Sequence, residues 1–151
     1  MKKIVLSITF LMISFTVFSQ KNYEYKVVTS VESVVPMGLG RSRIIDAKDH
    51  AKVADFTTQR TNGKKSNQKS VKRNSAKVNN FEETKLLNFY SGVGINFQNI
   101  ASNDALIASK INKLVDEGWE LTFVTSGVES DAGKNDGKGL FITRYIFKKA
   151  K

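Results

Sequence analysis

The chain has 151 residues, which suits a single domain, and its 24 lysines and arginines outnumber 14 acidic residues to give a net charge of +10. It contains no cysteine, which excludes disulfides, thiolate zinc sites, a cysteine nucleophile and lipid attachment to an N-terminal cysteine. The fold must therefore be stable without covalent cross-links.

The first 19 residues have the pattern of a secretory signal peptide. Two lysines precede an apolar stretch at residues 4–18, and Val17 and Ser19 are acceptable at positions −3 and −1 of the cleavage site. The stretch of about 15 residues is shorter than the roughly 20 that span a bilayer, which disfavours the alternative of an uncleaved anchor. We predict an exported protein, periplasmic or secreted, whose mature chain at residues 20–151 has no transmembrane span.

The first predicted strand covers residues 23–33, where Tyr23, Tyr25 and Val27 alternate with polar or smaller residues. Pro36, the only proline, would end it because proline cannot donate a hydrogen bond to a sheet. The following residues, MGLGRSR, predict a turn or loop.

Residues 41–77 contain eleven lysines and arginines and three aspartates, a net charge of +8. The mature chain also carries +8, so this segment accounts for all of its net charge. Residues 57–80 have few large apolar side chains and cannot bury enough surface to offset the entropy of ordering. We predict that residues 41–80 form a basic, mobile insertion, with a strand or short helix within residues 43–56.

Two short strands are predicted after the insertion, at residues 85–90 and 95–100, on either side of a bend. A helix then follows, because apolar residues recur at helical spacing at positions 106, 107, 111, 114 and 115. Asn103 is the predicted N-cap of this helix. Gly118 is its predicted stop, since glycine adopts the positive φ of a helix exit without strain.

From Trp119 the apolar period changes to two, which predicts a strand with Trp119, Leu121 and Phe123 on one face. The helix should fold back over this strand and bury Trp119. A glycine-rich stretch at residues 131–139 predicts a hairpin connection to a last strand at residues 140–149. Both faces of this last strand are apolar, as in a central or well-covered strand.

Together these elements predict the α+β class: a small antiparallel sheet of three to five strands with one amphipathic helix packed on one face. Residues 1–19 are the predicted signal peptide, and residues 20–151 are a single domain with the basic insertion.

Three strings occur in the order found in a small bacterial family: YEYKVV at residues 23–28, GWEL at residues 118–121 and RYIFKK at residues 144–149. On these strings the chain resembles the domain of unknown function 4177, over about 60 residues. The resemblance implies a compact β-α-β-β domain, and it points to no particular activity because none is established for that family. The chain differs from that family in its signal peptide and in the insertion from about residue 37 to residue 100.

The string GLGRSR is the most suggestive local sequence for binding. Glycines allow successive backbone N–H groups to point at an anion, and two arginines can bind a carboxylate or phosphate. The spacing matches neither a P-loop nor a dinucleotide fingerprint, and the alternative is a flexible strand exit with solvated arginines. The candidate anion-binding residues are Gly38, Gly40, Arg41, Ser42 and Arg43.

No catalytic, metal-binding or cofactor-binding residues are predicted. His50 is the only histidine, and it lies in the polar segment without a nucleophile-elbow sequence nearby. The loop at residues 131–139 departs from the calcium-binding EF-hand pattern, because an aspartate occupies the glycine position. We therefore predict that the protein is not an enzyme.

The predicted function is that of an exported, non-enzymatic module of the cell envelope that binds a partner or an anion. The basic insertion would meet an anionic envelope polymer, a lipid headgroup or an acidic protein, the alternative being a solvated loop that only maintains solubility. Nucleic acid is disfavoured because export separates the chain from it and the segment has few aromatic residues. The second hypothesis is a small anionic-ligand-binding domain that uses the loop from Gly38 to Arg43.

Overall fold

A computed structural model describes residues 22–35, 41–129 and 139–151. The predicted signal peptide and residues 131–138 of the predicted hairpin connection lie outside these ranges. In chain order the elements are β1 (Tyr23–Ser33), β2 (Arg43–Ala47), α1 (Val53–Phe56), a 3₁₀ turn (Gln68–Ser70), β3 (Phe81–Lys85), β4 (Tyr90–Ser91), β5 (Gly94–Ile95), α2 (Phe97–Asp116), β6 (Glu120–Val128) and β7 (Leu140–Ala150).

Five strands form one antiparallel sheet in the order β3-β2-β1-β7-β6, and β4 and β5 form a separate two-stranded ribbon. The two longest strands, β1 and β7, lie at the centre and pair along their whole length, from Tyr23 opposite Ala150 to Ser33 opposite Leu140. The helix α2 packs on one face of this sheet. The predicted α+β class and the predicted antiparallel sheet with one helix are therefore confirmed.

The side chains of the sheet divide between a helix face and an open face, because directly paired residues point to the same side. The helix face contains Val28, Ile44 and Phe147, which are all at least 98 % buried. With Leu86 and Leu114 they make the core, and Ile107, Ile111, Trp119, Leu121 and Tyr145 pack around it. The alternate residues of each strand form the open face.

The helix α2 begins seven residues earlier than predicted. Its N-cap is Asn96, whose side chain accepts a hydrogen bond from the backbone N–H of Asn99 at 3.2 Å. Asn103 is therefore not an N-cap, and the predicted strand at residues 95–100 is mostly helix. The predicted stop is confirmed: Gly118 has a φ of +87°, and its N–H donates to Val115 O at 2.8 Å.

Asn103 instead lies at the helix–sheet interface, fully buried. Its Oδ1 accepts from the backbone N–H of Leu87 at 2.7 Å, and its Nδ2 donates to Leu87 O at 2.8 Å and to Glu32 Oε1 at 3.0 Å. One amide side chain thus satisfies both backbone groups of Leu87, as a neighbouring strand would. On either side of Leu87, Leu86 N–H donates to Ser42 O and Phe89 N–H donates to Ser33 O, both at 3.0 Å. Residues 86–89 are therefore held as irregular backbone, where a strand at residues 85–90 was predicted.

The strand β6 contains a bulge between Leu121 and Phe123. Leu121 pairs with Phe147 on the helix face, whereas Phe123 pairs with Ile146 on the open face. The predicted alternation with Leu121 and Phe123 on one face is therefore wrong, because an extra residue in one strand reverses all later side chains. Trp119 is half-buried and packs against the core, beside the end of α2.

The range predicted as a basic insertion begins within the sheet. The strand β2 contributes Ile44 and Asp46, both almost fully buried. The chain then leaves the sheet, and we call residues 48–80 the basic loop. Its two ends meet where Lys48 N–H donates to Asn80 O at 2.9 Å and the Asp49 carboxylate accepts from Asn80 N–H at 3.0 Å.

Within the described ranges, no helix is both long enough and apolar enough to cross a membrane.

Replacing Asn103 with alanine should lower the free energy of unfolding by about 2–4 kcal/mol, because the two buried backbone groups of Leu87 lose their partners. Urea denaturation followed by Trp119 fluorescence measures this change. Asn112→Ala, on an exposed position of the same helix, should change stability by less than about 0.5 kcal/mol. Equal effects of the two substitutions would contradict the assigned role of Asn103.

Candidate functional site

A groove with a volume of about 690 Å³ lies on the open face of the sheet. We call it the open-face groove. Its apolar floor is formed by Val31, Ile45, Ala47, Phe81 and Leu140. Its charged rim is formed by Arg41, Arg43 and Glu83, and the basic loop adds Val78.

The groove exists because alternate residues of adjacent strands project to the face that α2 does not cover. Ile45 of β2 pairs with Thr29 of β1 and Glu83 of β3, so its side chain lies on the open face. Phe81 lies at the start of β3 on the same face and is 45 % exposed. When a ligand covers an apolar floor of this kind, the removal of apolar surface from water favours binding.

The two arginines of the rim differ in their surroundings. Arg43 Nη1 lies 2.7 Å from Glu83 Oε1, and both side chains are partly exposed. Such an exposed ion pair contributes at most about 1 kcal/mol to stability, yet it offsets the Arg43 charge locally. Arg41 is exposed, and no described residue forms a hydrogen bond or ion pair with its side chain. Arg41 is thus the rim cation with its donors available to an anion.

Of the five predicted anion-binding residues, the structure describes Arg41, Ser42 and Arg43. Arg41 and Arg43 meet at the rim of the groove, whereas Gly38 and Gly40 lie outside the described residues. Ser42 is 98 % buried, and its hydroxyl oxygen accepts a hydrogen bond from Ser33 N–H at 2.9 Å. This hydroxyl holds β1 and β2 together at the end of their pairing, so it serves the fold.

Sequence reasoning missed the floor of the groove. Ile45, Ala47 and Phe81 alternate with buried or polar residues in the two strands that border the basic loop. That period of two was a usable signal, but the high charge of the segment hid it. The apolar character of the candidate site therefore emerges only when β2 and β3 are placed side by side.

A second polar cluster lies on the helix face around Asp46, which is 1 % exposed. Asp46 Oδ2 is 2.6 Å from Lys110 Nζ and 3.1 Å from Lys48 Nζ, and its Oδ1 is 2.9 Å from Lys26 Nζ. Glu82 lies 3.3 Å from the same two lysines, 48 and 110. The cluster ties α2 to β1, β2 and β3.

The ionisation of this cluster suits a structural role. Burial raises the pKa of Asp46, but hydrogen bonds from Lys110, Lys26 and Lys48 outweigh it and lower the pKa to about 2. Burial lowers the pKa of Lys48, and its hydrogen bonds to Asp46 and Glu82 outweigh this and raise it overall. At neutral pH the aspartate is ionised and Lys48 is charged, so neither is poised to exchange a proton.

Two other ionisable groups lie between the helix and the sheet. Burial raises the pKa of Glu32, although its hydrogen bond with Asn103 opposes the shift. Burial also raises the pKa of Tyr145, although the nearby Ser30 hydroxyl opposes the shift. Both groups belong to the packed interface, and neither lines the open-face groove.

Trp119 is flanked by two lysines, with Lys26 Nζ at 5.9 Å and Lys149 Nζ at 5.8 Å from the ring centroid. These are cation–π distances. His50 is exposed and lies with Trp119 along a smaller and more polar cleft of about 360 Å³. In the described part of the chain, no cluster of three histidine, cysteine, aspartate or glutamate residues could hold a metal ion.

Comparison of the chain with protein-family models, with curated proteins and with solved structures finds no match. The resemblance to the domain of unknown function 4177 therefore stays a prediction from the sequence strings.

Acid should weaken the protein partly through Asp46. The pKa of Asp46 in the folded protein is about 2, below the ordinary value of 3.8. Ionised Asp46 therefore contributes fully to the free energy of unfolding above pH 3.8, and this contribution is lost as the pH falls through about 2. This contribution is about 2 kcal/mol. Asp46→Asn removes it, so the stability difference between wild type and variant should narrow by that amount between pH 6 and pH 2.

Urea denaturation at pH 6, 4, 3 and 2 measures the narrowing. Asp116→Asn, at an exposed position of α2, is the matched control and should follow the wild type at every pH. A constant difference between wild type and Asp46→Asn across this range would contradict the lowered pKa.

Proposed function

We propose that the protein is an exported, non-enzymatic binding protein whose open-face groove takes a single-chain amphiphile with a carboxylate or phosphate headgroup. The observation that carries this proposal is an apolar groove with the available guanidinium of Arg41 at its rim. Both the floor and the rim are needed, since the floor selects an apolar chain and the rim selects an anion.

The floor supports an aliphatic chain as the apolar part of the ligand. Its five floor residues include the partly exposed Phe81, and the volume of about 690 Å³ is within the usual range for small-molecule sites. Each methylene that leaves water contributes about 0.8 kcal/mol. The floor offers no side-chain hydrogen-bond donor, so it favours a chain over a sugar or nucleoside.

The charges of the rim support an anionic headgroup at Arg41. A guanidinium donates two parallel hydrogen bonds to a carboxylate or phosphate. Glu83 beside Arg43 repels an anion, which leaves Arg41 as the preferred contact. Residues 57–80 of the basic loop carry seven lysines and arginines and no acid, and this positive potential attracts anions toward the groove.

The lining of the groove supports binding without catalysis. Its ionisable side chains in the described residues are Arg41, Arg43 and Glu83. Glu83 is the one carboxylate among them, and it is ion-paired with Arg43 at 2.7 Å. The described lining contains no serine, threonine, cysteine, lysine or histidine that could act with it as an activated nucleophile. The predicted signal peptide places such a binder in the envelope, where anionic lipids are present.

A second candidate function rests on the basic loop alone. All seven lysines and arginines of residues 57–80 are exposed. An exposed segment with seven positive charges and no acid favours an acidic polymer such as an envelope polysaccharide, through an attraction that salt screens. The groove would then be incidental, and the two candidates differ in how binding responds to salt and to an alkyl chain.

Arg41→Ala should weaken the binding of decanoate and decyl phosphate at least about tenfold, because it removes a charge-assisted contact worth about 1.5–3 kcal/mol. Isothermal titration calorimetry measures the change. Decanol, which has the same chain without the charge, should bind the wild type more weakly and lose little in the variant. Arg60→Ala removes an exposed arginine outside the groove and is the matched control.

Failure of both decanoate and decyl phosphate to bind the wild type would refute the amphiphile proposal. Equal losses in Arg41→Ala and Arg60→Ala would show attraction by overall charge rather than a headgroup site.

The second candidate predicts a different pattern. Replacing Lys64, Lys65, Lys69 and Lys72 with glutamine should reduce binding of poly-glutamate at least about tenfold at low salt, because four exposed charges are lost. Raising the salt from 50 to 500 mM should produce a comparable loss in the wild type. Decanoate binding should change less than about threefold in the same variant. Salt-insensitive polymer binding, or none, would eliminate this candidate.

A further inference from the structure

The two edges of the sheet differ in how well they are protected from pairing with another strand. The edge strand β3 has five residues, and three of them, Glu82, Glu83 and Lys85, are charged. The edge strand β6 has nine residues, and from Leu121 to Val128 it contains neither a charged residue nor a proline. Long, uncharged edges present free backbone groups to other strands, whereas short or charged edges avoid this.

Within the described part of the chain, β6 is also uncovered on both faces from Thr122 to its end. Every residue from Thr122 to Val128 is exposed, including Phe123 at 59 %, Val124 at 47 % and Val128 at 59 %. On the helix face Val128 pairs with Phe141 of β7, which is itself 39 % exposed. The edge therefore carries an apolar strip in addition to its free backbone groups.

We propose that β6 pairs antiparallel with β6 of a second copy of this chain, about a two-fold axis at Ser126. The axis runs perpendicular to the sheet, so each face of one copy continues into the same face of the other. Two sheets of five strands then join into one sheet of ten.

The sequence of β6 is self-complementary in this register. In the segment at residues 124–128, Val124 of each copy lies opposite Val128 of the other copy. Cross-strand pairs of β-branched residues are favourable. Thr125 meets Gly127, where even an added Cβ would find no other atom within 4 Å. The pairing therefore joins exposed valines twice and creates no steric conflict at its centre.

The distribution of charge favours a second copy as the occupant. The basic loop joins β2 to β3, at the sheet edge opposite β6. Four strand spacings of about 4.8 Å place that edge roughly 19 Å from β6. In the dimer the two loops lie at opposite ends of the sheet, several Debye lengths of about 8 Å apart. Pairing through β6 thus brings the uncharged edges together and keeps the strongly basic segments apart.

The size of the contact indicates a weak dimer. A standard interface buries about 800 Å² per partner from roughly 20–30 residues, and β6 with Phe141 supplies about half that number. Association should therefore depend on concentration. Both open-face grooves lie on the same face of the joined sheet and remain accessible, so the dimer would present two of them side by side.

Cysteine cross-linking tests the pairing, since the natural chain contains no cysteine. In Ser126→Cys the two thiols face each other across the axis, with Cα atoms about 4.5–5.5 Å apart, which suits a disulfide. Mild oxidation of the mature chain should convert Ser126→Cys largely to a covalent dimer. Val53→Cys, at an 80 % exposed position outside the sheet, is the matched control. Equal rates in both variants, or faster cross-linking of Val124→Cys than of Ser126→Cys, would overturn the proposal.

Sedimentation equilibrium tests the dimer without cross-links. Between about 10 µM and 1 mM the mature wild-type chain and Val53→Lys should show a monomer–dimer equilibrium, whereas Val124→Lys should stay monomeric and folded by circular dichroism. A wild type that is monomeric throughout overturns the proposal, as does a dimer that persists in Val124→Lys. If the wild type is monomeric and an unrelated extended peptide adds a strand to β6, the partner of this edge is not a second copy, and the proposal is wrong.

Discussion

The helix α2 is narrower than the five-stranded sheet on which it packs, and most features of the molecule follow from this difference in width. A helix with its side chains is about 10–12 Å wide, whereas five strands at about 4.8 Å spacing extend over roughly 19 Å between their outer axes. The helix α2 therefore packs over Val28, Ile44 and Phe147. Among the described residues, the opposite face and the outer strand β6 beyond Leu121 are left without a cover. The open-face groove and the unprotected edge lie in these two regions.

Polar contacts determine where that helix lies. Apolar burial between Leu114 and Phe147 provides attraction, but it is not directional. Asn103 binds both backbone groups of Leu87, and Lys110 binds the buried carboxylate of Asp46. These contacts define the rotation and the translation of α2 over the sheet. A buried amide and a buried carboxylate are tolerated because each has several partners within the same interface.

Positive charge is concentrated at one edge of the sheet and is nearly absent from the other. The basic loop joins β2 to β3 and borders the groove through Val78, while the far edge at β6 is nearly uncharged. An anion-attracting end and a self-pairing end can then coexist in one small domain, because screening confines their electrostatic influence to about one Debye length. The two proposed functions of the surface thus use different strands of one sheet.

The sequence by itself determined the class, the strands β1 and β7, the body of α2 and its stop at Gly118, because these depend on local periodicity and on glycine conformation. It also singled out Arg41 and Arg43. Only the tertiary structure decided that Asn103 is an interface residue, that the bulge turns Phe123 to the open face, and that Ile45 and Phe81 make an apolar floor beneath those arginines. These features depend on which strands become neighbours, and strand pairing joins residues far apart in the chain, where no local pattern records the contact.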